Sequence, residues 1–203
     1  RRQRQMCIRD RIFYIMGKSA SGKDRIYSIL SKDESLGLKR LVLYTTRPIR
    51  AGEENGREYY FTDENKLEEF RKTNRLIESR AYHTVHGIWT YFTADDGQIN
   101  PQGTDYLGIG TLESYRKMKE YYGEETVCPI YIQVEDGERL QRALIREKQQ
   151  ENPRYAEMCR RFLADQEDFS EENILAAGIR IRFENDDLDN CVRNIIKYIK
   201  SVT

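Results

Sequence analysis

Apolar residues in this chain fall into short dense runs separated by segments with helical spacing. Ile12-Phe13-Tyr14-Ile15-Met16 is unbroken and stops at Gly17, which predicts a buried strand over 11–16. Ile26, Ile29 and Leu30 then recur at helix period, and Leu41-Val42-Leu43-Tyr44 predicts a second strand. From 46 to 93 the texture changes to short β-like pieces around one polar helix, 63–73, and reads as an insertion. Tyr106 to Ile109 predicts another strand, followed by a helix over 112–122. The segment 126–134 is rich in β-branched and aromatic residues and is the clearest strand of the chain. Helices over 139–150 and 155–169 flank a hinge at Asn152-Pro153, and a strand over 179–183 precedes a helix over 188–199. Strands alternating with helices predict a mostly parallel α/β sheet.

Composition narrows the class. The 203 residues suffice for one substantial domain carrying a smaller insertion. Lys and Arg number 34, as do Asp and Glu, and the zero net charge excludes a general binder of nucleic acid or anionic membrane. Mean hydropathy is −0.80 and no apolar run exceeds five residues, so no segment is expected to span a bilayer. Aromatic residues at 11% supply a core and argue against disorder. Cys7, Cys128, Cys159 and Cys191 are scattered without C-x-x-C spacing, as expected of reduced thiols in a cytoplasmic protein rather than a disulfide frame or zinc site. Residues 1–10 are polar and aperiodic and read as a tail, disordered or non-native, outside the folded unit.

The strongest local signal is Gly17-Lys18-Ser19-Ala20-Ser21-Gly22-Lys23, a G-x-x-x-x-G-K that follows a predicted strand and opens a predicted helix. Glycines let successive N–H groups converge on phosphate oxygens, and the helix N-terminus adds partial positive charge. Lys23 then reaches the outer phosphates as a point charge. The motif wants Ser or Thr next, for Mg²⁺; this chain has Asp24.

A second motif, Thr45-Thr46-Arg47-Pro48-Ile49-Arg50-Ala51-Gly52-Glu53, is followed by Gly56-Arg57-Glu58-Tyr59 and later by Glu78. Two arginines three apart can grip one phosphate with forked donors, a tyrosine adds a neutral donor, and a carboxylate can accept from two neighbouring N–H groups of a ligand. With the phosphate loop and the closing Asn185-Asp186-Asp187-Leu188, the sequence resembles the guanylate kinase family of P-loop nucleoside-monophosphate kinases over nearly all of 11–200.

That resemblance implies a P-loop NTPase three-layer α/β fold. Its parallel sheet core would cover 11–45 and 94–200, with a helical lid at 139–161 and a β-rich acceptor-nucleotide-binding insertion at 46–93. The implied activity is phosphoryl transfer from ATP, with Mg²⁺, to a nucleoside monophosphate, GMP to GDP. Gly17, Ser19, Ala20, Ser21, Gly22, Lys23, Asp24, Arg142 and Asn185 would hold ATP. Arg47, Arg50, Glu53, Tyr59, Glu78, Tyr91 and Thr93 would hold the acceptor. Lys23, Arg47, Arg146 and Arg161 are the candidate catalytic cations. Seven positive against three negative residues over 139–161 suit a lid that closes on phosphates. The implied partners are these small nucleotides, for a monomer or homodimer without nucleic acid or membrane.

Several positions depart from the family. Where its third strand ends with two aspartates, one serving metal and phosphate and the other guanine, this chain has Gly108 and Gly110. The serine that helps read guanine is replaced by Leu43 or Tyr44, and Tyr-Gly-Thr becomes Tyr91-Phe92-Thr93. Asp24 is therefore the metal candidate, taking over the lost acidic role. A different phosphorylated acceptor, or an inactive module binding a phosphorylated partner, are the alternatives. His83 and His86, three apart in a β-like segment, point to opposite faces and do not form a metal pair. Trp89 reads as packing.

Overall fold

The computed structural model describes residues 11–84, 87–99 and 103–202; the tail expected over 1–10 and His86 lie outside the described residues. In chain order the first half runs β1 (Ile12–Met16), α1 (Lys23–Leu30), β2 (Lys39–Arg40), β3 (Tyr44–Thr45), β4 (Tyr60–Phe61), α2 (Glu64–Lys72), β5 (Leu76–Thr84) and β6 (Gly87–Ala94). The second half runs β7 (Tyr106–Gly110), α3 (Leu112–Tyr122), β8 (Val127–Gln133), α4 (Asp136–Lys148), α5 (Tyr155–Asp168), α6 (Glu171–Ala176), β9 (Arg182–Glu184) and α7 (Leu188–Val202).

The core is a five-stranded, all-parallel sheet in the order β2-β7-β1-β8-β9. Every residue of the central β1 is buried, and its alternation sorts the two faces. Ile12, Tyr14 and Met16 pack against Tyr115 and Met118 of α3 and Ile174 of α6. Phe13 and Ile15 pack against Ile26 and Leu30 of α1 and against Val192, Ile195 and Ile199 of α7. Helices on both faces of a parallel sheet make the three layers of a P-loop NTPase fold. The apolar stripe Cys191, Val192, Ile195 and Ile199 explains how α7 docks, and truncating Ile195 to Ala in such a site costs about 2–5 kcal/mol.

A second sheet, β4-β3-β6-β5, rises from the first. Its back face packs Phe92 and Ala94 on Leu67 and Phe70 of α2, closing a small separate core. Its strands span residues 44 to 94.

The expected strand over Leu41–Tyr44 is divided. Lys39–Arg40 joins the large sheet, Tyr44–Thr45 joins the small one, and the residues between carry the chain from one to the other. Gln98 explains the break: its side-chain amide accepts from Val42 N at 3.0 Å and donates to Val42 O at 2.9 Å, taking the place of a neighbouring strand. The helix α6 was not expected; it is short, capped by Ser170, and buries only Ile174. The last strand begins at Arg182 rather than 179. No helix among the described residues is long and apolar enough to cross a membrane.

Candidate active site

The loop 17–23 connects β1 to α1 at the C-terminal edge of the parallel sheet, where ligands of such sheets bind. Gly22 takes a left-handed conformation, φ 86°, as the N-cap of α1, and the Asn185 amide lies where its Cβ would stand. Asn185 Nδ2 donates to Ser21 O at 2.7 Å, so the residue fastens the loop from β9's far end. Gly17 is required for a different reason: a Cβ there would lie 2.7 Å from the Ile132 carbonyl of β8. Lys23 opens α1, and its Nζ donates to the Asp24 carboxylate at 3.3 Å. Asp24 is well exposed on that first turn.

The helices α4 and α5 fold over this loop. Arg142 reaches the Asn185 carbonyl at 3.0 Å and pairs with Glu138 at 2.9 Å. A cavity of about 220 Å³ opens between the two helices and the loop, lined by Ser19, Arg139, Arg146, Arg154, Arg161 and Phe162 with Glu147 and Glu157. Arg161 donates to Glu157 at 2.8 Å. Arg160, with Arg161 adding to it, holds the Glu157 carboxyl down to about 2. The Arg146 side chain has no hydrogen-bond or ion-pair partner among the described residues, while its carbonyl accepts from Gln149 N.

Behind the cavity lies a buried network. Arg139, only 1% exposed, donates to the Ser19 carbonyl at 3.1 Å, to Asp165 at 3.2 Å and to Asp136 at 2.9 Å. Its guanidinium also stacks 4.3 Å from the Phe162 ring. Lys18 and Gln166 close the ring through Asp136. Burial opposes the Asp136 charge, but the Gln166 and Arg139 hydrogen bonds outweigh it and hold its carboxyl below the usual range. Apart from Ser19, none of these residues was singled out as a site residue from the sequence. One signal was present: Arg139, Ala143 and Glu147 occupy the buried i, i+4, i+8 stripe of α4, where apolar residues are expected.

Opposite the loop stands the front face of the small sheet. Strand register places Glu78 beside Thr93, Arg80 beside Tyr91 and Thr45 beside Tyr91, all on this face. Arg47 is almost completely buried and makes a two-pronged pair with Glu53, at 2.8 and 2.6 Å. Glu53 also accepts the Arg50 backbone N–H at 2.8 Å, which sets the spacing of the two arginines. The Arg47 hydrogen bond holds the Glu53 carboxyl down to about 2. The Tyr59 and Phe61 rings, edge-on to each other at 6.1 Å, lie 5.3 and 5.2 Å from the Arg47 guanidinium, and Tyr59 meets Tyr91 edge-on at 5.5 Å. Burial, with Tyr91 beside it, pushes the Tyr59 phenol up. The Asp24 charge contributes to the same shift. The structure thus gathers Arg47, Glu53, Tyr59 and Tyr91 at one end of the face and Glu78 and Thr93 at the other. The Arg50 side chain is exposed and joins the cluster through its backbone only.

The glycines at the end of β7 have a local cause. The Tyr14 ring crosses beneath them, and its hydroxyl donates to Ser114 Oγ at 2.9 Å. A Cβ on Gly108 would lie 2.8 Å from the Tyr14 ring, and one on Gly110 would strike the Tyr14 hydroxyl and Ser114. Full burial pushes the Tyr14 phenol well above its ordinary value.

Comparison with known proteins gives this arrangement a family. The family model for guanylate kinase matches residues 9–202. The chain belongs to the guanylate kinase family.

Among curated members, the guanylate kinase of Porphyromonas gingivalis is 29% identical over 192 residues, covering 93% of this chain and 96% of its own. The guanylate kinase of Lactobacillus johnsonii is 35% identical, but over 75 residues that span only 37% of its length. The crystal structure of guanylate kinase from Anaplasma phagocytophilum superposes with a TM-score of 0.61 at 18% identity, covering 95% of this chain and 85% of that one, and shows the shared fold. Family and fold together support nucleoside-monophosphate phosphotransfer for this guanylate kinase family member.

Proposed function

We propose that this protein transfers the γ-phosphoryl group of ATP to GMP. The observation that carries the reading is the shared cavity: Ser19 of the phosphate loop and the lid arginines Arg146 and Arg161 line one space. The donor phosphates would lie along the loop, with Lys23 at the α1 N-terminus and Arg142 and Asn185 at the far side. The acceptor phosphate would meet Arg47, Arg50, Tyr59 and Tyr91, with Glu53 holding the arginines in place. Glu78 and Thr93 would face the base.

A phosphate oxygen is already a nucleophile, so no general base is required. These residues align the two phosphates, offset their charge and exclude water by lid closure. No group of three or more acidic, His or Cys side chains is arranged for a metal among the described residues. Mg²⁺ in nucleotide sites takes one or two carboxylates plus substrate phosphates, and the Asp24 carboxylate beside Lys23 fits that donor set. When bound, the ion would neutralise phosphate charge.

A second reading follows from Gly108 and Gly110, which leave no acid at the end of β7: a module that binds a phosphorylated partner without turnover. One experiment separates the two. ADP release is followed with ATP and GMP, AMP, dGMP or sugar phosphates, with and without Mg²⁺, alongside ATP calorimetry. Mg²⁺-dependent turnover of GMP is expected. Absence of both turnover and ATP binding overturns the kinase reading in favour of the module.

A further inference from the structure

Arg80 is a half-buried cation that no motif of the chain explains. Its side chain is 17% exposed, and β5 turns it to the same face as Glu78. It spans the cleft between the small sheet and the core: Nε donates to Glu78 at 3.2 Å, and Nη1 donates to Thr111 Oγ1 at 3.2 Å, just past β7. Nη2 has no partner among the described residues. Burial opposes the charge, but Glu78, with Tyr82 and Tyr14 adding to it, outweighs that and shifts the guanidinium upward.

The groups beside Arg80 fix what the cleft can recognise. Glu78 is an acceptor, with one oxygen taken by Thr93 Oγ1 at 2.9 Å and the other by Arg80. On the core side Tyr14 fills the space at Gly110, so no second carboxylate stands there. Glu113, Arg116 and Asp168 line the cavity next to Arg80, but Glu78 is the carboxylate it pairs with, so one carboxylate and one guanidinium stand side by side. A guanidinium offers donors only and a carboxylate acceptors only.

We propose that Arg80 is a specificity-determining residue of the acceptor site, donating to the 6-oxo group of a purine whose N1–H is taken by Glu78. The inference rests on the acceptor reading above, in which Glu78 faces the base. Guanine and hypoxanthine present a carbonyl beside an N–H and match both groups. Adenine presents an amino group beside a bare ring nitrogen, so it sets donor against donor and lone pair against carboxylate. A site built on buried hydrogen-bonding groups rejects a ligand that leaves them unpaired.

The test is calorimetry of GMP, inosine monophosphate and AMP on the full chain and on Arg80→Met and Arg80→Lys, with circular dichroism to confirm folding. The parent should bind both oxo-purine nucleotides more tightly than AMP. Arg80→Met should weaken those two by about tenfold to a hundredfold, the range for one lost base contact, and leave AMP unchanged. Arg80→Lys should recover part of the loss. Equal weakening of GMP and AMP would mean Arg80 only props the cleft open, and it overturns the proposal. So does a parent that fails to discriminate or binds none of the three. Selective binding without ADP release would refute phosphotransfer while leaving the role of Arg80 standing.

Discussion

The Asp165 carboxylate on α5 accepts the backbone N–H of Ser19 in the phosphate loop at 2.7 Å. Arg139 holds the carbonyl of the same residue, so the two peptide groups flanking the Ser19 Cα are both gripped by the lid helices. The lid is thereby coupled to the loop before any nucleotide arrives. Asp165→Ala leaves the Ser19 N–H unpaired and removes one of two carboxylates facing the buried Arg139. An unsatisfied buried group costs about 1–3 kcal/mol. In a chain of this size each kcal/mol lowers Tm by about 2–4 °C, which calorimetry resolves. An unchanged Tm would show that the grip contributes nothing.

Restoring an acid to β7 should harm the protein. Gly110→Asp drives a Cβ into the Tyr14 hydroxyl and Ser114 Oγ. Overpacking of this kind costs about 1–3 kcal/mol. Tyr14→Val vacates the space, so the double variant should be more stable than the sum of the single losses predicts. Urea denaturation of the four proteins in the cycle measures that coupling. Strict additivity would mean that Tyr14 and Gly110 do not compete for the same volume.

The Arg47–Glu53 pair gives the acceptor end a pH dependence. The folded Glu53 carboxyl sits at about 2, against an ordinary value of 4.5. A depressed carboxyl contributes stability that is complete above 4.5 and is lost as pH falls from there toward 2. Glu53→Gln should therefore flatten the acid limb of the stability curve within that window and leave the slope at neutral pH unaltered. Thermal melts between pH 2 and 7 decide it. An acid limb identical to the parent's would place the sensitivity in other carboxylates.

Much of the fold was legible because its signals are local. The apolar run 12–16, the glycine loop and the helix period of α7 each specify an element without reference to distant residues. The strand over 41–44 misled because Gln98, more than fifty positions away, pairs with Val42 through its side chain. Arg139 and Arg80 were hidden for a related reason. A buried or half-buried cation looks like any surface arginine until the partners Asp136, Asp165, Glu78 and Thr111 are brought to it by the fold. Gly108 and Gly110 read as missing acids, whereas the cause of their smallness, Tyr14, lies on a neighbouring strand in register with Gly108. Side-chain pairings across the fold are where single-chain reasoning loses its hold.

Lys23 and Asp24 supply the last prediction, because their roles separate by metal dependence. The two side chains pair at 3.3 Å, on the first turn of α1, and a bound triphosphate would compete with Asp24 for the lysine. Lys23→Ala removes a point charge from the phosphates undergoing transfer, and losses for such groups run to about a thousandfold or more in turnover. Near-normal rates would remove the loop from the mechanism. Asp24→Ser should act differently. Taking away a carboxylate that shares Mg²⁺ with the phosphates raises the Mg²⁺ concentration needed for half-maximal rate, while the rate at saturating Mg²⁺ falls less. If Asp24→Ser leaves the Mg²⁺ titration unmoved, the carboxylate serves only to hold Lys23 in the empty site, and the ion is held by phosphate and water alone.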